Sequence, residues 1–243
     1  MRSKHFWYSC LILTLALCLR AYQFSNYPFT FDQVQIFQNS TRILQGDPTL
    51  IGPRTGPANL FTGPLIYYLN AFSQLIISSP YSLVLTTLFI ALATGIGLIY
   101  LTHRYTPHPV NKIIPLLWAT SPFLINLDRV PWNPNLTLLA SALAFYPLLK
   151  KERLLLKENL LLGLGVFLGY QAHFGGLLLA PTIFFLLIIQ RRLQLTTLIT
   201  LIIAQALTLI PTLLFDLRNN WLNLQGTLEL LTNSSQLSAP NFI

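Results

Sequence analysis

Residues 195–215 read LTTLITLIIAQALTLIPTLLF, with no charged side chain between Leu195 and Phe215. About 20 residues of helix, each rising about 1.5 Å, cover the roughly 30 Å hydrocarbon layer of a bilayer. Arg191-Arg192 stands just before this run, and Asp216 and Arg218 come just after it. The rest of the chain has the same character. Of its 243 residues 53% are hydrophobic and 9% charged, against about 25% charged in soluble domains. Mean hydropathy is +0.57. The apolar runs are long and continuous, whereas strands of a membrane barrel alternate in and out over about 10 residues. The expected fold is therefore all-α. It is a polytopic transmembrane helix bundle, one membrane domain over residues 1–243 with about seven or eight hydrophobic segments.

The net charge of +8 does not mark a nucleic-acid partner. The bases gather at the ends of apolar segments, as in Lys150-Lys151-Glu152-Arg153 and Arg191-Arg192, which is the placement that sets membrane topology. Cys10 and Cys18 share one apolar segment and cannot frame a disulfide scaffold or a metal site. Arg2 and Lys4 precede the apolar run Phe6–Leu19. That run ends Leu17-Cys18-Leu19-Arg20-Ala21, without the small-x-small pattern of a cleavage site. We read an uncleaved first helix with a cytoplasmic N-terminus, in a multi-pass protein of the plasma (inner) membrane.

The external loop 20–59 is the only long polar excursion in the first two thirds of the chain. Thr30-x-x-Gln33 fits a capping box, with Asp32 in the first helical turn. Val34, Phe37, Thr41 and Leu44 keep helical spacing up to Gly46, which predicts a short amphipathic helix lying in the membrane interface. Gly52-Pro53-Arg54-Thr55-Gly56-Pro57 reads as a hinge. Next come apolar stretches at Leu60–Ser79, Leu83–Leu101 and Ile113–Leu127, the last interrupted by Pro115 and Pro122. A second polar island, Asp128–Asn135, precedes Leu136–Leu149. The basic linker Lys150–Glu158 leads to Asn159–Gln171 and Leu177–Gln190, and after 195–215 an amphipathic piece lies around Leu222–Leu231. If Lys150–Lys157 and Arg191-Arg192 are cytoplasmic, Asp32, the island 128–135, His173 and the tail all lie outside. One stretch between 60 and 127 must then fail to cross. The prolines make Ile113–Leu127 a candidate, while Arg104 and Lys112 favour an earlier one.

Two readings fit Asp32: a partner of the helix N-terminus, or a general base for an acceptor hydroxyl or amine at the membrane surface. Asp128 and Arg129 are either an anchor at a helix end or a partner to Asp32 that binds substrate. His173 is an interfacial hydrogen-bonding residue or a substrate contact on the same face. Arg20, Arg42, Arg54 and Arg218 are headgroup anchors or phosphate-facing cations, since Arg matches phosphate bidentately. There is no P-loop, G-x-G-x-x-G, G-x-S-x-G or H-E-x-x-H. No cofactor is expected, and a divalent cation is left open.

The order of these features resembles the polytopic GT-C glycosyltransferases that use lipid-linked sugars, and most closely the protein O-mannosyltransferase and aminoarabinose transferase group. An Arg closes helix one (Arg20), and an external loop with an acidic position (Asp32) and an interfacial helix comes next. Gly63-Pro64-Leu65-Ile66-Tyr67-Tyr68 then enters the next segment. Ser121-Pro122-Phe123 with Arg129 and Asn133-Pro134 is similar to the group's second external motif. Phe215-Asp216-Leu217-Arg218-Asn219 is similar to the segment after its N-terminal membrane module. The resemblance implies inverting transfer of a sugar from a polyprenyl-phosphate donor to an acceptor on the outer face. Membrane lipids surround that reaction and no nucleic acid takes part. Asp32 would be the catalytic base, with Asp128, Arg129, His173, Arg54 and Arg218 as substrate contacts. The group usually has Glu at the position of Gln33. Members are usually longer, so a chain stopping within the polar stretch of Ser238-Ala239-Pro240-Asn241 reads as a truncated or split module. The competing readings are a polytopic transporter or flippase, which would tend to show paired repeats with broken helices, and a non-catalytic membrane scaffold.

Overall fold

The computed structural model describes residues 2–55, 60–150 and 152–232. Gly56-Pro57 of the expected hinge and the tail beyond 232 lie outside the described residues. Among the described residues the protein is all-α apart from one pair of two-residue strands. Its helices are α1 (Arg2–Ala21), α2 (Phe31–Leu44), α3 (Leu65–Ile76), α4 (Ser82–Tyr105), α5 (Val110–Thr120), α6 (Pro122–Asp128), α7 (Thr137–Phe145), α8 (Leu156–Ala172), α9 (Leu179–Ile189), α10 (Leu195–Arg218) and α11 (Leu222–Thr232). Strands β1 (Arg54–Thr55) and β2 (Leu60–Phe61) pair antiparallel, Arg54 opposite Phe61.

Two helices, α4 and α10, each of 24 residues, are long and apolar enough to cross a membrane. They differ in surroundings. Of the apolar stretch of α4, 56% is buried inside the protein, but for α10 only 22%. Ile199, Ile202, Leu207, Ile210 and Leu217 all stand exposed on α10. An outward apolar face of that size marks contact with lipid or with another protein rather than with water. Leu60–Ser79, by contrast, does not form one long helix. Its first residues go to β2 and the Gly63-Pro64 break, leaving α3 with 12 residues, about 18 Å of helix. Both ends of α3 attach at the same end of the molecule. The Leu65 N–H donates to Gln171 Oε1 at 3.0 Å, and the chain beyond Ile77 turns directly into α4. Helix α3 is thus too short to span the hydrocarbon layer alone, as is α5 with 11 residues in the proline-marked stretch, and Arg104 lies beside Glu158 together with Lys150.

In the proline-marked stretch the break falls at Ser121. Pro122 starts α6 there, and the Ser121 hydroxyl accepts from the Leu124 N–H. Pro115 stays inside α5. The Asn111 carbonyl, which Pro115 leaves without an intrahelical donor, lies 3.2 Å from the Thr102 hydroxyl of α4.

The core forms around α4 and α8. Ile12, Ala16, Leu98, Leu101, Trp118 and Leu139 join α1, α4, α5 and α7 in one cluster, while Leu162, Val166, Ile183, Leu187 and Leu201 join α8, α9 and α10 in another. Helix α8 lies against α7 through small residues. A Cβ on Gly165 would stand 2.5 Å from the Ala144 nitrogen and 2.7 Å from the Ala140 oxygen. Only glycine lets the two backbones approach so closely.

These packings gather chemistry-bearing residues at two ends. One end holds the C-terminus of α1, all of α2 and α3, the loop after α6, the C-terminus of α8 and that of α10. The Asn133 amide donates to the Ala172 carbonyl there at 2.6 Å. The Phe61 carbonyl accepts from the Tyr170 hydroxyl, and the Phe61 N–H donates to Asn223 Oδ1 at 2.8 Å, so α11 closes over β2. The opposite end holds His5 against His103, with ring centroids 5.0 Å apart. The buried Glu158 sits there too, 3.7 Å from Lys150 Nζ and 3.9 Å from Arg104 Nη2. In the sequence Glu158 closes a basic linker, where a solvated side chain is expected. The two neighbouring cations let it be fully buried instead, and its other oxygen accepts the Leu155 N–H at 2.9 Å.

Candidate functional site

Helix α2 starts as the sequence predicts. Gln33 Oε1 accepts from the Thr30 N–H at 2.9 Å and from its hydroxyl at 2.6 Å, one half of a capping box. The same side chain does a second job. Gln33, 1% exposed, donates its amide N–H to the Pro131 carbonyl at 3.1 Å and ties α2 to the loop after α6. A carboxylate in this position has no proton to give to a carbonyl, which is a physical reason for Gln where the resemblance expects Glu. The buried stripe of α2 is Gln33, Ile36 and Ser40, one position away from the predicted Val34, Phe37, Thr41 and Leu44. Tertiary hydrogen bonds decide this. Ser40 donates within 2.8 Å of the Tyr67 carbonyl of α3, and its neighbour Thr41 donates to Gln74 at 3.0 Å. Hydrophobic spacing alone does not reveal such partners.

Asp32, next to Gln33, points the other way. It is exposed, and its carboxylate accepts no hydrogen bond and forms no ion pair among the described residues. Its electrostatic neighbour is Tyr67. Burial, and then the nearby Asp32 charge, hold that phenol well above its ordinary value, so it stays a protonated donor.

Asp128 is not turned toward Asp32. Its carboxylate meets Arg20 Nε at 2.7 Å. Arg20 is 1% exposed, so it is neither a headgroup anchor nor a phosphate-facing cation. Its guanidinium also donates to the Trp118 carbonyl at 3.2 Å and the Ala119 carbonyl at 3.4 Å, and stacks 4.5 Å over the Trp118 ring. Burial pushes the Asp128 carboxyl above its usual value against the pull of Arg20. Arg129 stacks over Tyr27 at 5.3 Å and donates to the Gln23 carbonyl at 3.2 Å. His173 is exposed, and its Nδ1 accepts the Gly175 N–H at 3.1 Å, capping the turn Phe174–Leu178. Arg54 is exposed on β1. The end that carries Asp32 therefore also carries all five expected substrate contacts. Asp128 is taken up by Arg20, and His173 by its own turn.

Arg218 is placed differently. With Arg42, Asn39, Asp47, Phe215 and Asn219 it lines a polar cleft of about 280 Å³. Arg42 comes from the last turn of α2 and Arg218 from the last turn of α10. Both guanidinium groups are exposed and form no hydrogen bond or ion pair among the described residues, a geometry suited to an anion. A larger, apolar cleft of about 770 Å³ opens where α5 and α7 pack on α4 without filling the space between them. Leu98, Leu117, Trp118, Leu124, Leu138 and Phe145 line it. Among the described residues no three His, Cys, Asp or Glu side chains converge on a point that could hold a metal ion.

Comparison of the chain with family models, curated proteins and solved structures gives no match.

Proposed function

We propose that the protein is a multi-pass membrane glycosyltransferase that moves a sugar from a polyprenyl-phosphate donor to an acceptor on the outer face. The observation that carries this reading is the pairing, on one helix, of an exposed unpartnered carboxylate, Asp32, with an arginine cleft at the other end, Arg42 and Arg218. Asp32 and Arg42 lie ten residues apart on α2, about 15 Å along its axis, a span that the two side chains, a sugar and its phosphate fill between them. Asp32 takes the proton of the acceptor hydroxyl or amine as that atom attacks the anomeric carbon. The bond from that carbon to the phosphate oxygen breaks, its electron pair leaves with the phosphate, and the configuration inverts. The Tyr67 hydroxyl orients acceptor or carboxylate, while Arg42 and Arg218 meet the charge that grows on the leaving phosphate. The apolar cleft over α4 suits the hydrocarbon chain of the donor. Helices α4 and α10 cross the bilayer in this reading. The end with Lys150, Arg153, Arg191 and Arg192 faces the cytoplasm, and Asp32 faces out.

The test uses the full chain in liposomes charged with polyprenyl-linked sugars. Asp32→Asn, which breaks no contact, should lower transfer by at least about a hundredfold with an unchanged melting temperature. Transfer at the wild-type rate would remove Asp32 as the base.

A further inference from the structure

At the end opposite Asp32, the turn between α9 and α10 and the segment before α8 line a third cleft, of about 480 Å³, which the proposed reaction does not use. Arg153, Arg191 and Arg192 line it, with Gln194 and Thr196 at its base and Glu152 beside them. Its base is the N-terminus of α10, where Gln194 makes no side-chain cap and the first turn has no acidic residue. In the same residues Arg192 Nε and Gln194 Nε2 are buried without a partner among the described residues.

The frame around these donors is fixed. Arg192 donates to the Leu148 carbonyl at 3.2 Å and to the Glu152 carbonyl at 2.6 Å, locking the two segments together. Asn159 of α8 accepts from Thr197 at 2.8 Å and holds the start of α10 in place. Arg191 sits in the left-handed region, φ +52°, at the turn where its N–H bonds the Ile188 carbonyl. Glycine is the residue that fits such a helix end without strain. An arginine there keeps a cation at the rim despite an unfavourable backbone, and strain of this kind collects at binding sites.

We infer that this cleft binds a phosphate group with uncompensated negative charge, either the headgroup of an anionic phospholipid or a free phosphate. The guanidinium groups of Arg153 and Arg191, that of Arg192 held by its carbonyl contacts, and the N-terminus of α10 line one cleft, and each favours a tetrahedral anion. Glu152 also lines the cleft, and its carboxylate, 84% exposed, is offset by Lys150 at 3.8 Å. This binding does not depend on the reaction proposed above.

The purified full chain is titrated in neutral detergent with short-chain phosphatidylglycerol, short-chain phosphatidylcholine and inorganic phosphate, following thermal stabilisation and lipid adducts by native mass spectrometry. The wild type should hold phosphatidylglycerol at least about tenfold more tightly than phosphatidylcholine. If inorganic phosphate displaces that lipid or stabilises alone, the site takes the free anion. If only the lipid binds, the site takes the headgroup. Arg153→Gln and Arg191→Gly should each weaken binding about tenfold or more. Arg191→Gly should also melt at or above the wild-type temperature, which separates lost binding from lost fold. Wild-type affinity in both variants, or no preference for either anion in the wild type, would overturn the assignment. Asp32→Asn should bind as the wild type does, so failure of the transferase reading leaves this one standing.

Discussion

Arg20 carries a full charge where water does not reach, and its contacts come from α1, α5 and the end of α6. Removing one partner of such a pair leaves the other charged and unsolvated, which costs about 3–5 kcal/mol. Asp128→Asn is therefore expected to destabilise the protein by that amount in mixed-micelle unfolding. Replacing both partners with apolar groups, Arg20→Met with Asp128→Leu, should recover most of the loss. If the single variant unfolds like the wild type, the pair does not hold these helices together. Gln33 offers a sharper contrast. Gln33→Glu sets a carboxylate against the Pro131 carbonyl and should cost about 1–3 kcal/mol, although the resemblance to the transferases favours Glu there. The same unfolding measurement checks it, and a variant as stable as the wild type would mean that the Pro131 contact is dispensable. The Thr30–Gln33 contact could be read from sequence because three residues separate its ends. The Arg20–Asp128 and Gln33–Pro131 contacts span about a hundred residues each, and nothing local announces them.

Elements obey similar logic. A helix start, a glycine stop at Gly46 with φ +90° and the Pro122 break are local events with local signals. The length of α3 is not, because Leu60–Ser79 is mostly apolar and uncharged and only Gly63-Pro64 hints that its first residues leave the helix. Glycines inside α8 also look like weak points in sequence and are contacts in the fold. Gly165→Leu would drive a side chain into the backbone of α7 at Ala140 and Ala144. Overpacking of this kind costs about 1–3 kcal/mol or more, to be measured by thermal melting in detergent. A variant as stable as the wild type would mean that α7 and α8 slide apart freely.

Across the whole molecule, the arrangement of α4, α8 and α10 sorts the polar groups into two sets. Cys10 and Cys18 are free, so a cysteine-less background is simple to build. In intact cells an impermeant thiol reagent should label cysteines placed at positions 32 and 218 but not those at 153 and 191. In inside-out vesicles the pattern should reverse. Labelling of 32 and 153 from the same side would exclude the proposed topology. Charge placement along the chain predicts such a division. It did not foretell which carboxylates would be used up by cations within the fold, as Asp128 and Glu158 are.

The hydrogen bond from the Phe61 N–H to Asn223 joins residues 162 positions apart. The Arg42–Arg218 cleft likewise joins the second helix to the tenth. Contacts of such long sequence separation form late, because closing the intervening chain costs entropy before they can contribute. As the ribosome releases the chain from its N-terminus, α1 to α9 can pack while the cleft still lacks one wall. Binding competence at this end therefore arrives in time after the fold around it. Under the proposed function, a nascent chain stays silent until α10 and α11 have docked.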